Sequence, residues 1–464
     1  MRKLFPLTLA FLLLLMTLPT IAAADGIKVI VGDQAIIFPD EQPYLDGELV
    51  MLPIRQPAEA LGLKVTFMKA DKEVHLTAPA FDIGFKVGSN TASINGEATV
   101  AFGSAAVFQG SRVYVPLDFF KEVLRLETTY NANRNEALIT NPGSNVDTEL
   151  PLPAGLVEEE VVIGEGTPYA LTGTLTLPKN ATGPLSAVIL VHGSGPSDRD
   201  ETAFGYKPFR DIAWGLAEQG IAVLRYDKRT YVHAKSFTPE MLTTFTVKEE
   251  TIEDAVAASN LLKKDKRINP SRVFVAGHSL GGMMAPRIDN EGGDFAGLII
   301  LAGTTRSLWE IIYDQNIPLI QALDDQDPAK KEYEALLAIE LAKAKSIEAM
   351  TEAEAMNATA FSISAYYLRD MDIHSTTDLV AKLSKPLLIL QGEDDFQVYA
   401  DKDYTLWQEL LKDKANATLK LYPGLNHFFV DYQGIGEGTI EEYKYPGHVD
   451  PQVIKDMAIW IGTQ

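Results

Sequence analysis

Cysteine is absent from all 464 residues. The chain therefore has no disulfide, no thiolate to serve as nucleophile or soft-metal ligand, and no lipobox cysteine to carry a lipid anchor. Histidine is scarce, with seven in total. Only His75 falls in the first 140 residues, so that stretch cannot assemble an imidazole metal site, and His75 reads as a solvated strand residue. Positive charge is short as well: 41 Lys and Arg against 63 Asp and Glu leave a net charge of −22. So acidic a surface argues against partners such as nucleic acid or an anionic membrane. No stretch after residue 21 is apolar for long enough to be read as a bilayer span.

What is present begins with an export pattern. The basic start Met1-Arg-Lys, the apolar run from Leu7 to Ile21 and the small residues Ala22-Ala23-Ala24 read in turn as the three regions of a signal peptide spanning 1–24. Cleavage before Asp25 takes Arg2 and Lys3 with it and moves the charge from −22 to −24. A secreted or otherwise extracytoplasmic bacterial protein is expected.

From 25 to 141 short strands alternate with Gly, Asp and Asn turns, and two segments superimpose without a gap at an offset of 63 residues. The segments start at Leu49 and Arg112, and share Val50/Val113, Pro53/Pro116, Glu59/Glu122, Leu61/Leu124, Leu63/Leu126 and Thr66/Thr129. A duplicated strand, short helix and strand account for the match, so a small α+β module is expected. Its strand ends Leu52-Pro53-Ile54-Arg55 and Val115-Pro116-Leu117, with the turn Glu59-Ala-Leu-Gly62, resemble the copper amine oxidase N-terminal-like domain of exported bacterial proteins. The family name does not imply copper here, and the module is assigned an accessory role in cell-surface association or self-association. A Pro-, Gly- and Asx-rich linker follows over 142–155.

The remainder, 156–464, alternates apolar strands with helical spacing. Val157 to Val162 and Ala170 to Leu177 read as a leading antiparallel pair. Ala187 to Val191, Ile221 to Arg225, Arg272 to Val275, Leu298 to Leu301, Pro386 to Leu390 and Thr418 to Tyr422 follow, with helices between them. Continuous apolar strands of this kind are buried on both faces, so the fold class is α/β with a doubly wound, mostly parallel sheet. Over about 306–383 the alternation lapses into helix-forming sequence, with Tyr333, Leu337, Leu341 and Ala344 on one face, and is read as a helical cap insertion.

The strand from Arg272 runs directly into Gly277-His278-Ser279-Leu280-Gly281, a G-x-S-x-G turn. A serine hydroxyl needs such a placement, exposed at a strand tip beside a base, before it can attack a carbonyl. The acid is sought after the strand ending at Leu390, where Glu393-Asp394-Asp395 stand in a row; Asp395 is the candidate and Asp394 the reserve. The base is sought after the next strand, at Asn426-His427, because His233 and His374 precede the acid and His448 lies close to the last helix. His278 is read as shaping the turn. Backbone N–H groups of Leu280 and of Ser194, in the loop His192-Gly-Ser-Gly-Pro196, are the candidate oxyanion donors. His192 itself is read as bracing that loop.

These residues carry a second resemblance. The segments Val191-His-Gly-Ser-Gly-Pro-Ser-Asp-Arg-Asp-Glu201, Leu224-Arg-Tyr-Asp-Lys-Arg229, Gly277 to Gly281, Gln391 to Asp395 and Asn426-His427 resemble the EstD-type bacterial carboxylesterases of the α/β-hydrolase superfamily. The resemblance implies hydrolysis of a small-molecule ester substrate of short acyl chain through Ser279, His427 and Asp395, with no metal or organic cofactor needed. Thr230 departs from the glycine of many relatives, and Asp198, Arg199 and Asp200 are open between binding substrate and bracing one another. A serine peptidase or thioesterase on the same fold, and a non-catalytic surface-binding protein, are the competing readings.

Overall fold

The computed structural model describes residues 26–140 and 151–464, apart from residues 33, 48, 62, 79–80, 95–97, 125, 133 and 435. The stretch 1–24 expected to be a signal peptide, most of the expected linker and Gly62 of the repeat turn lie outside the described residues. Contacts divide the described chain into two units: 26–140 with Gln433–Pro446, and Pro151–Tyr432 with Gly447–Gln464. The second unit is thus interrupted near its C-terminal end, which a continuous 156–464 span does not foresee.

In the first unit the duplication is visible in the hydrogen bonds. The first strands of the two copies, Leu49–Pro53 and Arg112–Pro116, pair antiparallel with Val115 opposite Leu52. Ile54 N donates to Val113 O at 3.0 Å and Leu117 N to Val50 O at 2.8 Å. These two bonds are equivalent under the 63-residue offset, so a local two-fold relates the copies. The short helices Arg55–Ala60 and Asp118–Glu122 follow, and the second strands Lys64–Met68 and Glu127–Asn131 enter different sheets. Val29, Leu52, Leu76, Ile83, Val115, Phe119 and Phe120 form the core, with Tyr445 of the returning segment packed against it.

The second unit is built on eight strands: β1 Leu156–Ile163, β2 Leu171–Pro178, β3 Leu185–Val191, β4 Ala222–Tyr226, β5 Ile268–His278, β6 Leu298–Leu301, β7 Leu387–Gly392 and β8 Ala417–Tyr422. Their order across the sheet is β1-β2-β4-β3-β5-β6-β7-β8. The first two pairings are antiparallel and all later ones parallel. The period of two along a strand divides β3 between two cores. Ala187, Ile189 and Val191 join the layer of helices Glu253–Lys264 and Leu280–Ile288, while Val188 and Leu190 join that of Pro208–Glu218 and Pro451–Thr463. Covering both faces is what a run without polar residues requires, at roughly 1.5–3 kcal/mol for each buried aliphatic side chain.

Between β6 and β7 the chain leaves the sheet and forms helices Leu308–Gln321, Pro328–Ser346, Ala365–Ile373 and Thr376–Lys382. Tyr333, Leu337 and Leu341 are half-buried and Ala344 is buried, so the apolar stripe faces inward as its spacing implies.

Candidate active site

The geometry is organised by the turn after β5. Ser279 has φ 52° and ψ −116°, a backbone position that costs a non-glycine residue about 1–3 kcal/mol and persists only where its surroundings impose it. Two close approaches impose it. A Cβ on Gly277 would stand 2.1 Å from Gly281 O, and one on Gly281 2.2 Å from Val191 O. Only bare backbone lets the helix start so close to the ends of β5 and β3. Ser279 N donates to Leu301 O at 2.8 Å, tying the turn to β6. The side chain is left half-buried, reachable from solvent.

His427 lies in the loop after β8. Its Nδ1 donates to Asp395 Oδ2 at 2.7 Å, which in the neutral ring makes Nε2 the nitrogen able to accept a proton. Asp395 is buried and fully satisfied: Oδ1 accepts from Gln397 N at 2.8 Å and Val398 N at 2.9 Å, and Oδ2 also accepts from Gln391 Nε2 at 2.8 Å. Asp394 and Glu393 point into solvent. The histidine loop is itself tightly made. Asn426 Oδ1 accepts from Phe428 N and Val430 N, Phe429 takes a φ of 59°, and Gly392 of β7 admits the loop because a Cβ there would meet Leu425 O at 2.2 Å. The imidazole rings of His427 and His278 lie 4.6 Å apart, which sets His427 beside the serine turn. Among the described residues Ser279 Oγ has no hydrogen-bond partner, as is common for a serine and its base before substrate arrives. The other candidate histidines sit elsewhere: His233 on Ala170 O, His374 on Asp370 O and His448 on Asp211.

Of the expected oxyanion donors, Leu280 N–H is at the first turn of its helix, where no intrahelical acceptor exists. Ser194 follows Gly193, whose own backbone lies against Ser279: a Cβ built there would come within 3.2 Å of Ser279 Cβ. Neither amide hydrogen is taken by another of the described residues. The preceding residue is bound on both sides. Gly193 N donates to Glu201 Oε1 at 2.6 Å, and Gly193 O accepts from Lys228 Nζ at 2.8 Å. His192 Nε2 donates to Asp198 O at 2.9 Å, and burial pushes its pKa down to about 4, so it braces the loop as a neutral ring.

Sequence reasoning missed the buried pair Glu201 and His278. His278 Nδ1 lies 3.0 Å from Glu201 Oε2, off the hydrogen-bond axis, so the attraction is chiefly between charges. His278 Nε2 bonds to the carbonyl of His427 at 3.0 Å. Burial alone would depress the imidazole, but the Glu201 carboxylate outweighs it and raises the pKa. Burial alone would likewise raise Glu201, but the His278 charge, with Gly193 N–H among its other partners, holds it below the ordinary value. Gly193, Glu201, His278 and the backbone of His427 form one connected chain of contacts through the site.

The residues left open around the loop are braces. Arg199 donates to both Asp227 oxygens and Thr174, Asp198 accepts from Asp200 N, Thr202 N and Thr202 Oγ1, and Asp200 pairs with Arg225. Thr230 sits in the short helix Arg229–Val232, and Arg229 beside it grips Asp254 through two nitrogens. The helical insertion touches this framework: Gln315 Nε2 donates to Gln397 O, Thr376 Oγ1 to Met283 O, and Arg287 pairs with Asp370.

Comparison with known proteins agrees with the layout. Residues 30–139 match the copper amine oxidase N-terminal domain, and residues 188–433 match the alpha/beta hydrolase family. Esterase EstD of Thermotoga maritima is 35% identical over 343 residues, covering 73% of this chain and 76% of that one. Among solved structures, Est1E from Butyrivibrio proteoclasticus is 18% identical with a TM-score of 0.42, over 66% of this chain and 99% of that chain. The Pyrobaculum calidifontis esterase is 18% identical with a TM-score of 0.40, over 66% and 85%.

Proposed function

The chain belongs to the α/β-hydrolase family as a relative of Esterase EstD, and from that premise we propose that it is an exported serine carboxylesterase acting on short-acyl esters. The observation that carries the reading is the buried 2.7 Å bond between His427 Nδ1 and Asp395 beside a strained serine turn. That bond selects the tautomer in which Nε2 can take a proton, and the carboxylate stabilises the imidazolium once it forms.

The chemistry is a two-step acyl transfer. His427 removes the Ser279 proton as the oxygen attacks the ester carbonyl, and the N–H groups of Leu280 and Ser194 receive the developing oxyanion. His427 then protonates the leaving alcohol, giving an acyl-serine. Water repeats the sequence, with His427 again as base, and the acid departs. Export is supported by the pattern over 1–24, and the first unit, which matches the copper amine oxidase N-terminal domain, is given an accessory role in cell-surface or self-association.

Turnover of p-nitrophenyl acetate and butyrate by the purified protein, with fluorophosphonate labelling of Ser279, tests the reading. Ser279→Ala is expected to lower kcat by about 10⁴- to 10⁶-fold and abolish labelling. Wild-type turnover retained by that variant would remove Ser279 from the reaction.

A further inference from the structure

Lys228 is an unusual residue to find in full burial, and its position suggests why it is there. The ammonium has two acceptors, Gly193 O at 2.8 Å and Glu250 Oε1 at 2.6 Å. Glu250 in turn accepts from the Tyr367 hydroxyl at 2.8 Å on Oε2. Lys228, Glu250 and Tyr367 are all buried, and Tyr367 belongs to helix Ala365–Ile373 of the insertion. Burying a charged chain of this kind costs several kcal/mol unless every member is paired, and a neutral core of the same volume would be at least as stable. Stability alone therefore gives little reason for it.

The carbonyl that Lys228 holds belongs to the same peptide group as the N–H of Ser194. A trans peptide is planar, with C=O and N–H pointing in opposite directions, so fixing the oxygen fixes the direction of the hydrogen. A cation on the oxygen also draws electron density through the amide and strengthens the N–H as a donor. Glu201 holds the preceding amide hydrogen at 2.6 Å, so the loop cannot rotate to relieve the constraint. We propose that Lys228 is a positioning residue of the oxyanion site, aiming and polarising the Ser194 amide, and that Glu250 and Tyr367 hold its ammonium in place from the side of the insertion. Tyr367 remains a proton donor throughout, since burial and then the Glu250 charge raise its pKa well above the ordinary phenol value.

The inference rests on the esterase reading above. It is tested with Lys228→Met, close in length and without charge, on the full-length protein. The expected result is a kcat about 10- to 100-fold lower with KM within about twofold, less than the ~10²–10³ lost when a donor is removed outright. Affinity for a trifluoromethyl ketone, which adds Ser279 to form a tetrahedral oxyanion, is expected to fall by the same factor. Affinity for the matching methyl ketone, which stays largely planar, is expected to hold. A lysine of merely structural worth would weaken both ketones alike or leave kcat within twofold, and either result overturns the proposal. Should Lys228→Met not fold, Tyr367→Phe carries the test with the same readouts and a several-fold effect expected; unchanged kcat and ketone affinities there overturn it equally. A wild-type protein that neither turns over esters nor labels at Ser279 condemns the triad reading instead.

Discussion

Glu201 and His278 form a charged pair inside the site, and the pH dependence of that pair can be argued from the direction of each shift. An imidazole whose pKa is raised on folding stabilises the native state below its unfolded value of 6.5 and loses that contribution as pH climbs through the higher folded value. A carboxyl whose pKa is lowered on folding contributes above its unfolded value of 4.5 and loses it as pH falls through the folded one. The pair therefore stabilises most between about pH 4.5 and 6.5. Glu201→Gln, which keeps an acceptor for Gly193 N–H and deletes the charge, is expected to lower the melting temperature most at about pH 5–6 and progressively less as pH climbs through the raised pKa of the folded imidazole. Breaking a buried pair costs about 3–5 kcal/mol at the outside, and thermal melts across pH 4.5–9 check the shape of the difference. A deficit independent of pH would mean that a stronger acceptor for Gly193 N–H, not the ion pair with His278, is what the Glu201 carboxylate supplies.

At the scale of elements, the site is a matter of how closely strand ends and loops approach. Gly281 separates the helix Leu280–Ile288 from β3, and Gly392 separates β7 from the loop of His427. Gly392→Ala would drive a methyl to 2.2 Å from Leu425 O and 2.6 Å from Asn426 O, both backbone, so the loop carrying His427 must move. Expected are a loss of about 1–3 kcal/mol in stability and a kcat about 10²-fold lower, since a displacement near 1 Å at a reacting group has that effect. Denaturant melts and steady-state kinetics measure both; unchanged kcat would show that the loop is held from elsewhere. These approaches also explain what could be read without coordinates. The serine turn, the acid after β7 and the base after β8 follow local rules: glycine where backbone must touch, an apolar run for a strand buried on both faces, a polar loop at its end. That one of three adjacent carboxylates should point inward could be read there, but the choice of Asp395 over Asp394 rests on its burial and its bond to His427 Nδ1. Glu201, Lys228 and Glu250 could not be placed in the same way. They are ordinary charged residues in the sequence, and their meaning depends on partners far along the chain: Gly193, 8 positions from Glu201 and 35 from Lys228, and Lys228 itself, 22 from Glu250.

For the whole molecule, the excursion of residues Gln433–Pro446 is the feature that chain order conceals. The polypeptide leaves the sheet unit six residues after His427, contributes Tyr445 to the core around Leu52 and Phe119, and returns in time for the helix Pro451–Thr463. Nothing in its composition separates it from any surface loop, because the core around Leu52 and Phe119 lies 393 and 326 residues before Tyr445 in sequence (445 − 52 and 445 − 119). Truncation offers a direct consequence. A chain beginning at Pro151 keeps all eight strands of the mixed sheet, along with Ser279, Asp395 and His427, but strips the core against which Tyr445 packs. A segment without buried apolar contacts opens locally at little free-energy cost and is cut first by proteases. Limited proteolysis of the truncated chain is expected to cleave within 433–446 at protease levels that leave the same bonds of the full-length protein intact. Because that segment and His427 share one loop, kcat of the truncated enzyme is expected to fall while fluorophosphonate still labels Ser279. Equal protection of 433–446 in both proteins would mean that the sheet unit alone suffices to hold the loop.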